Sequence, residues 1–337
     1  MKELILISIG IGIKSLIFII GMFLLAAYLT LIERKFAGHV QQRPGPLHVG
    51  FHGLLQPIAD ALKVLTKEDI VPNFVDKYLF YLASLMAFVP AIMILAVIPF
   101  GEPINIFGYE IKPYISDVNV GLILALAFGS ISIYGVIFAG WASNSKYPMI
   151  GGLRKAAVLI GYEVALGFAL VGPIMLAGTF SLREIVEAQQ GFFGAFIWYQ
   201  PLAFVVFLFS ILAETGRTPF DVQEAEAELV AGYNTEYSGM KFGLFPLAEW
   251  YIATFVLSAI AVILFFGGWN GPHIFGPISP YIWFLAKLFL VFMFLLWVHW
   301  TLPRYRVDQI TEIAWKVMLP LTFINIFITA IIVIIKG

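Results

Sequence analysis

Seven carboxylates fall within residues 214–249 (Glu214, Asp221, Glu224, Glu226, Glu228, Glu236 and Glu249), against only two cations, Arg217 and Lys241. The flanking stretches 198–213 and 250–267 carry no charge. Ionisable groups at the edge of an apolar segment cost free energy and are retained where a proton, an ion or a partner uses them. Closely spaced carboxylates suit proton exchange, because like charges perturb one another and spread proton release over several steps. Asp221 and Glu224 have capping-box spacing and Gly232 is a natural stop, so a short helix is expected over 221–231. On it Glu224 and Glu228 share a face, whereas Glu226 lies about 200° round from Glu224. A solvated acidic helix whose charges merely suit its N-terminal dipole is the competing reading. The apolar neighbours Pro219, Phe220, Leu229 and Val230 favour partial burial.

The elements that hold this run are membrane spans. The chain has 337 residues, of which 61% are hydrophobic and 12% charged, and its mean hydropathy is +0.92. Soluble chains carry roughly 25% charge, so this is an all-α integral membrane protein. Eight apolar segments are near the length of about 20 residues that a crossing needs: 14–32, 78–100, 120–141, 156–179, 198–213, 250–267, 282–302 and 317–335. The fifth and sixth are short, and their ends are expected to run into the loop between them. The first is uninterrupted from residue 4 apart from Lys14. It reaches roughly 43 Å at 1.5 Å per residue, which predicts a long helix, tilted or protruding. No small-residue cleavage site follows a short apolar region, so no removable leader is expected.

Loops 33–77, 142–155, 214–249 and 303–316 hold fourteen lysines and arginines, and the alternate loops hold only Lys112 and Arg183. The first set therefore faces the cytoplasm and both termini lie outside, in a single multi-pass domain over 1–337. Loop 33–77 contains the rigid turn Arg43-Pro-Gly-Pro. An amphipathic helix follows it, with Leu55, Ile58, Leu62 and Leu65 on one face and Gln56, Asp60, Lys63 and Lys67 on the other. The apolar stripe suits the membrane surface or a neighbouring helix, and the polar stripe suits an aqueous cavity. The loop ASNSKYPMIGGLRKAA is short and basic, fitting a protein contact or topology marking alike. SLREIVEAQQG reads as a small outer helix with a Ser181/Glu184 cap and a Gly191 stop.

Within the spans, Glu163 lies about two turns into 156–179. An intramembrane acid is a functional hypothesis by default, the alternative being a hydrogen-bonded partner inside the bundle. Lys287 is as well explained by snorkelling or pairing. The chain has no cysteine, which excludes disulfides and thiolate ligation of iron–sulfur clusters or c-type haem. Of five histidines, His39, His48 and His52 fall in the first loop and His273 in the sixth; only His299 sits in a span. Two facing histidine pairs for a bis-haem site are missing, as are a Walker A sequence and a Rossmann glycine fingerprint.

Six strings, ERKFAGHVQQRPGP, GLLQPIADALKVLTKE, NSKYPMIGGLR, GYEVALG, AETGRTPFDVQEAEAELVAGYNTEY and LPRYRVDQ, in this order and spacing, closely resemble the H-type membrane subunit of respiratory complex I, the bacterial NADH-quinone oxidoreductase. The likeness runs from residue 33 to about 320. It implies eight spans at the junction of the membrane and peripheral arms, in a bacterial-type plasma membrane, and a quinone chamber shared with the subunits near the terminal iron–sulfur cluster. It further implies that Arg34, Arg43, Asp60, Lys63, Phe220 and the acids Glu224 to Glu228 surround quinone. Glu163, Glu214, Asp221, Glu224, Glu226, Glu228 and Glu236 would supply the line of protonatable groups. Quinone is then the substrate, this chain binds no cofactor, FMN and iron–sulfur clusters belong to partner subunits, and adjacent small membrane subunits are neighbours. The chain departs from the pattern at Val158 and Gly161, where the family often carries Gln and Ser. Two alternatives stand beside this reading: the anchor subunit of a membrane-bound hydrogenase, which shares parts of these signatures, and an ion-coupled transporter, against which the two halves show no mutual similarity.

Overall fold

The computed structural model describes residues 2–106, 109–191, 193–222, 230–272, 274 and 276–336. Helix α1 (Lys2–Val40) has 39 residues, about 58 Å at 1.5 Å per residue, so it continues well past residue 32. Nothing between Glu33 and Ala37 breaks a helix. The chain turns back after Gly38: the Arg43 amide donates to the Gly38 carbonyl at 2.9 Å. A Cβ on Gly38 would lie 2.8 Å from the Arg43 carbonyl oxygen, so only glycine allows this close return. Helix α2 (Gln56–Thr66) opens with Pro57 in its first turn, where the missing N–H costs nothing.

Helix α3 (Lys77–Leu95) is capped by Asp76, which accepts from the amides of Tyr78 and Leu79. An antiparallel hairpin follows, β1 (Ile104–Ile106) with β2 (Tyr109–Ile111), pairing Ile104 with Ile111. The all-α expectation stands, with this hairpin as one small local exception. The runs INI and YEI alternate apolar and polar residues, the period of a strand, but are too short to stand out in an apolar chain.

Helices α4 (Gly121–Ala142) and α5 (Lys146–Ala177) are next. Helix α5 begins ten residues before the expected span, because Pro148 falls in its first turn and is tolerated there. The short helix α6 (Leu182–Glu187) has the predicted cap, Ser181 Oγ accepting from the Glu184 amide. Helix α7 (Pro201–Glu214) has only 14 residues. Helix α8 (Gly239–Phe265) starts inside the acidic loop, as expected, and is π-helical over Leu247–Ala253. Helix α9 (Ser279–Thr301) and helix α10 (Val307–Ile335), π-helical over Ile313–Met318, complete the chain. Among the described residues seven helices are long and apolar enough to cross a membrane, and α7 is a shorter apolar one.

Helix α5 packs against α4, α7 and α10. From Thr254 to Phe265, α8 buries every side chain except Leu257, as a helix apolar on all faces must. Gly135 brings α4 onto α3 so closely that a Cβ there would meet the Ala87 amide nitrogen at 2.5 Å. The outer helices leave large apolar side chains uncovered, among them Ile17, Leu290 and Phe327, a surface suited to lipid or neighbouring membrane chains.

Candidate functional site

Glu214 is the last residue of α7, and Glu163 projects from α5. Both line a cavity of about 60 Å³ that Ser132 from α4 and Ala253 from α8 help to close. Ser130 of α4 donates its hydroxyl to Glu163. Among the described residues Glu214 Oε2 is buried without a hydrogen-bond partner, and Glu163, Lys155 and Glu249 stand near enough for their fields to reach it. The two positions that depart from the family pattern are filled by packing: Val158 is buried, and Gly161 admits the Trp315 indole, whose nitrogen would stand 3.3 Å from a Cβ. The hydroxyl beside Glu163 thus comes from α4 instead of from its own helix.

The π-helical stretch of α8 supplies the next groups. An extra residue per turn lets adjacent residues point in directions a regular helix would not combine, and such stretches recur at functional sites. Glu249 forms an ion pair with Lys155 of α5, and their side chains are 11% and 4% exposed. The Tyr233 hydroxyl donates to the same Glu249 oxygen at 2.9 Å. Next to Glu249, the Trp250 carbonyl accepts from Arg217 at 2.8 Å. Arg217 also grips Glu33 of α1 with two parallel bonds of 2.8 and 3.0 Å and donates to Thr254 at 3.3 Å. A buried guanidinium held by a bidentate carboxylate and further acceptors satisfies most of its donors.

At the loop surface, Arg34 near the end of α1 meets Asp60 of α2 at 2.5 Å. Gln56 donates to the same carboxylate at 3.1 Å, and Lys63 lies 3.7 Å away. The polar stripe of α2 therefore turns towards α1, while Leu55, Ile58, Leu62 and Leu65 stay exposed on the opposite side. Arg43 is exposed, and among the described residues its side chain bonds locally, to Gln41 at 2.7 Å.

In the acidic loop, Asp221 is buried and paired with Arg304 at 2.6 Å. Phe220 is buried in an aromatic group with Tyr162, Phe209 and Tyr305, so within this chain it forms no open wall. Glu236 is half-buried beside Tyr237. Tyr237 stacks on Phe80 at 3.9 Å and donates to the Phe80 carbonyl at 3.2 Å; burial pushes its phenol above the usual range. Glu224, Glu226 and Glu228, with most of the expected 221–231 helix, lie outside the described residues.

Two polar groups in the spans have structural duties. Lys287 donates to the carbonyls of Phe266, Gly268 and Asn270, closing the end of α8. His299 Nδ1 accepts from the Thr218 amide at 3.1 Å. A cavity of about 1250 Å³ opens between α7 and α9 near Trp198, Trp269, Trp283 and Lys287, at the opposite end of α7 from Glu214. None of the predicted site residues lines it.

Sequence reasoning missed the pairings Glu33–Arg217 and Lys155–Glu249 and the role of Tyr233. A signal was present for Glu249, which adjoins the uncharged segment 250–267, where an unpaired charge is costly.

A family profile described as NADH dehydrogenase matches residues 13–330. The chain is 61% identical over 309 residues to the NADH-quinone oxidoreductase H subunit of Aquifex aeolicus, covering 92% of each chain. It is 52% identical over 305 residues to the H subunit numbered 1 of Geobacter metallireducens, covering 90% of this chain and 91% of the relative. With the H subunit numbered 2 of Rhizobium meliloti it shares 48% over 329 residues, covering 97% and 98%.

Proposed function

The chain belongs to the H-subunit family of NADH-quinone oxidoreductase, and from that premise we propose that it forms part of the quinone chamber and couples quinone reduction to proton translocation through its buried acids. The observation that carries this reading is the continuity of buried charge. It runs from Glu33 and Arg217 to the Trp250 carbonyl, through Glu249 and Lys155, to Glu214 and Glu163 on one cavity.

The loop end of α1 and the inward polar face of α2 offer Arg34, Asp60 and Lys63 to a quinone headgroup, with Arg43 close by and the exposed apolar face of α2 towards the bilayer, from which a lipid-soluble quinone arrives. Glu224 and Glu228 complete the acidic side of the chamber. Phe220 stands behind it as support. Electrons come from a partner's iron–sulfur cluster, supplied in turn by FMN, since this chain offers no thiolate. Reduction places negative charge beside the loop, and a unit charge at 4 Å is worth about 4 kcal/mol at an effective dielectric near 20. That is enough to drive proton uptake by Asp221, Glu224, Glu226, Glu228 or Glu236 and to pass the change to Glu214 and Glu163.

In the proposed topology α7 is the fifth of eight crossings in a single multi-pass domain, the loops after the first, third, fifth and seventh crossings face the cytoplasm, and both termini lie outside a bacterial-type plasma membrane. Small membrane subunits cover part of the exposed apolar surface. Because the chain has no cysteine, single cysteines at positions 67 and 112 report sidedness directly: a membrane-impermeant thiol reagent should label them from opposite faces.

The decisive test of coupling is Glu214→Gln in the intact complex in proteoliposomes, with quinone reduction and proton movement recorded together. Loss of proton movement in an assembled complex supports the reading, and wild-type values for both rates overturn it.

A further inference from the structure

We propose that Lys155 is a positioning residue for proton movement: its ammonium alternates between the carboxylates of Glu249 and Glu214 and so sets when the buried acid pair exchanges a proton. This rests on the coupling role proposed above and extends it to a residue whose loop, in the sequence, fitted a protein contact or topology marking alike.

Four observations converge on Lys155. Its side chain is almost wholly buried against Glu249, in a protein where a lysine with no duty would reach water. Glu249 does not need it for orientation, because Tyr233 holds the same carboxylate oxygen, and the Tyr233 ring lies 5.1 Å from the ammonium, a cation–π contact that tolerates sliding. A void of about 10 Å³ adjoins Lys155, bounded by Ala213 and Gly216, which lie one residue before and two after Glu214 in the chain. The field of Lys155 already reaches Glu214, whose Oε2 is buried and unpartnered among the described residues.

The cycle balances as follows. A proton arriving from the acidic loop neutralises Glu249 and ends its ion pair, while Tyr233 keeps the side chain in place. In this cycle Glu214 starts with a proton; the ammonium turns towards it and stabilises the carboxylate left as that proton departs. The proton that Glu214 releases crosses the shared cavity, whose volume accommodates water, to the Glu163 carboxylate marked by the Ser130 hydroxyl. The Glu249 proton then moves to Glu214, and Lys155 returns to Glu249. One proton enters at Glu249 and one reaches Glu163, and Lys155 stays charged throughout.

The test uses the intact complex in proteoliposomes and compares protons moved per quinone reduced. Lys155→Met should lower this ratio about tenfold while quinone reduction stays within about twofold of wild type, and Lys155→Arg, which keeps a mobile cation, should restore most of it. Should Lys155→Met fail to assemble, Lys155→Met combined with Glu249→Gln removes both charges of the pair and is expected to assemble with the same low ratio. An unchanged ratio in either variant overturns the proposal, as does failure of the double variant to assemble, or equal loss of reduction and translocation without rescue by arginine; each would make the pair structural. Glu214→Gln in parallel separates the two failures. If it loses proton movement while Lys155→Met does not, only the role of Lys155 falls; if Glu214→Gln is normal, the coupling role itself falls.

Discussion

The two ends of α7 solve one problem in opposite ways. At its start Gln200 is fully buried in a neutral network: it donates to Thr329 at 2.6 Å and accepts from Asn325 at 2.6 Å. Gly172 makes room for it, since a Cβ there would meet Gln200 Oε1 at 2.4 Å. At its end Glu214 is partly buried, yet one carboxyl oxygen is shut away from solvent with no partner among the described residues, and a cavity lies alongside. Amides that satisfy one another inside a bundle lock helices together and have no proton to exchange. A buried acid left incompletely bonded costs stability, and is retained where its proton is used. The large apolar groove lies at the locked end and the line of charges at the other, so α7 separates anchoring from chemistry along its own length.

That contrast can be broken in several places. The largest effect is expected at Arg217, where Arg217→Leu strands the buried Glu33 carboxylate; losing one partner of a buried pair costs on the order of 3–5 kcal/mol. The level of assembled subunit and the melting temperature of the complex should both fall. At the neutral end, Gln200→Leu leaves Asn325 and Thr329 short of partners and should cost about 1–3 kcal/mol. Thermal stability should drop while protons moved per quinone reduced stay unchanged; a changed ratio would mean that the neutral network also carries protons. At the charged end the pattern should invert. Ser130→Ala removes the hydroxyl donor to Glu163, a change of about 1 kcal/mol, or roughly fivefold, expected in proton movement with stability little altered. The smallest stability effect belongs to Asp60→Asn, whose pair with Arg34 is open to solvent; less than about 1 kcal/mol should appear in thermal unfolding. The same variant should raise the KM for quinone, which separates a chamber wall from a mere surface pair.

Much of the scaffold was legible in the residues. The unbroken apolar run at the start foretold a long first helix, and α1 proved longer still because Glu33, Arg34 and Lys35 continue a helix as readily as they leave a membrane. The polar and apolar stripes of α2 were readable from helical spacing, and the structure turned the polar one inward through Asp60. The start of α5 was hidden, because Pro148 and two glycines read as a loop although proline is tolerated in a first turn. In the site, Glu163 and Glu214 were both recognisable as acids next to apolar sequence, but their common cavity was not.

Composition and spacing alone determined that this is a helical membrane protein, that its acids gather in one loop, and which family its charged motifs match. Only the tertiary structure decided that Glu33 serves Arg217, 184 residues away, and that Lys155 serves Glu249, 94 residues away. Helix periodicity is a local property, set by neighbours three and four positions along the chain. Ion pairing depends on distance through space and on the exclusion of water, and both arise only when the helices have packed.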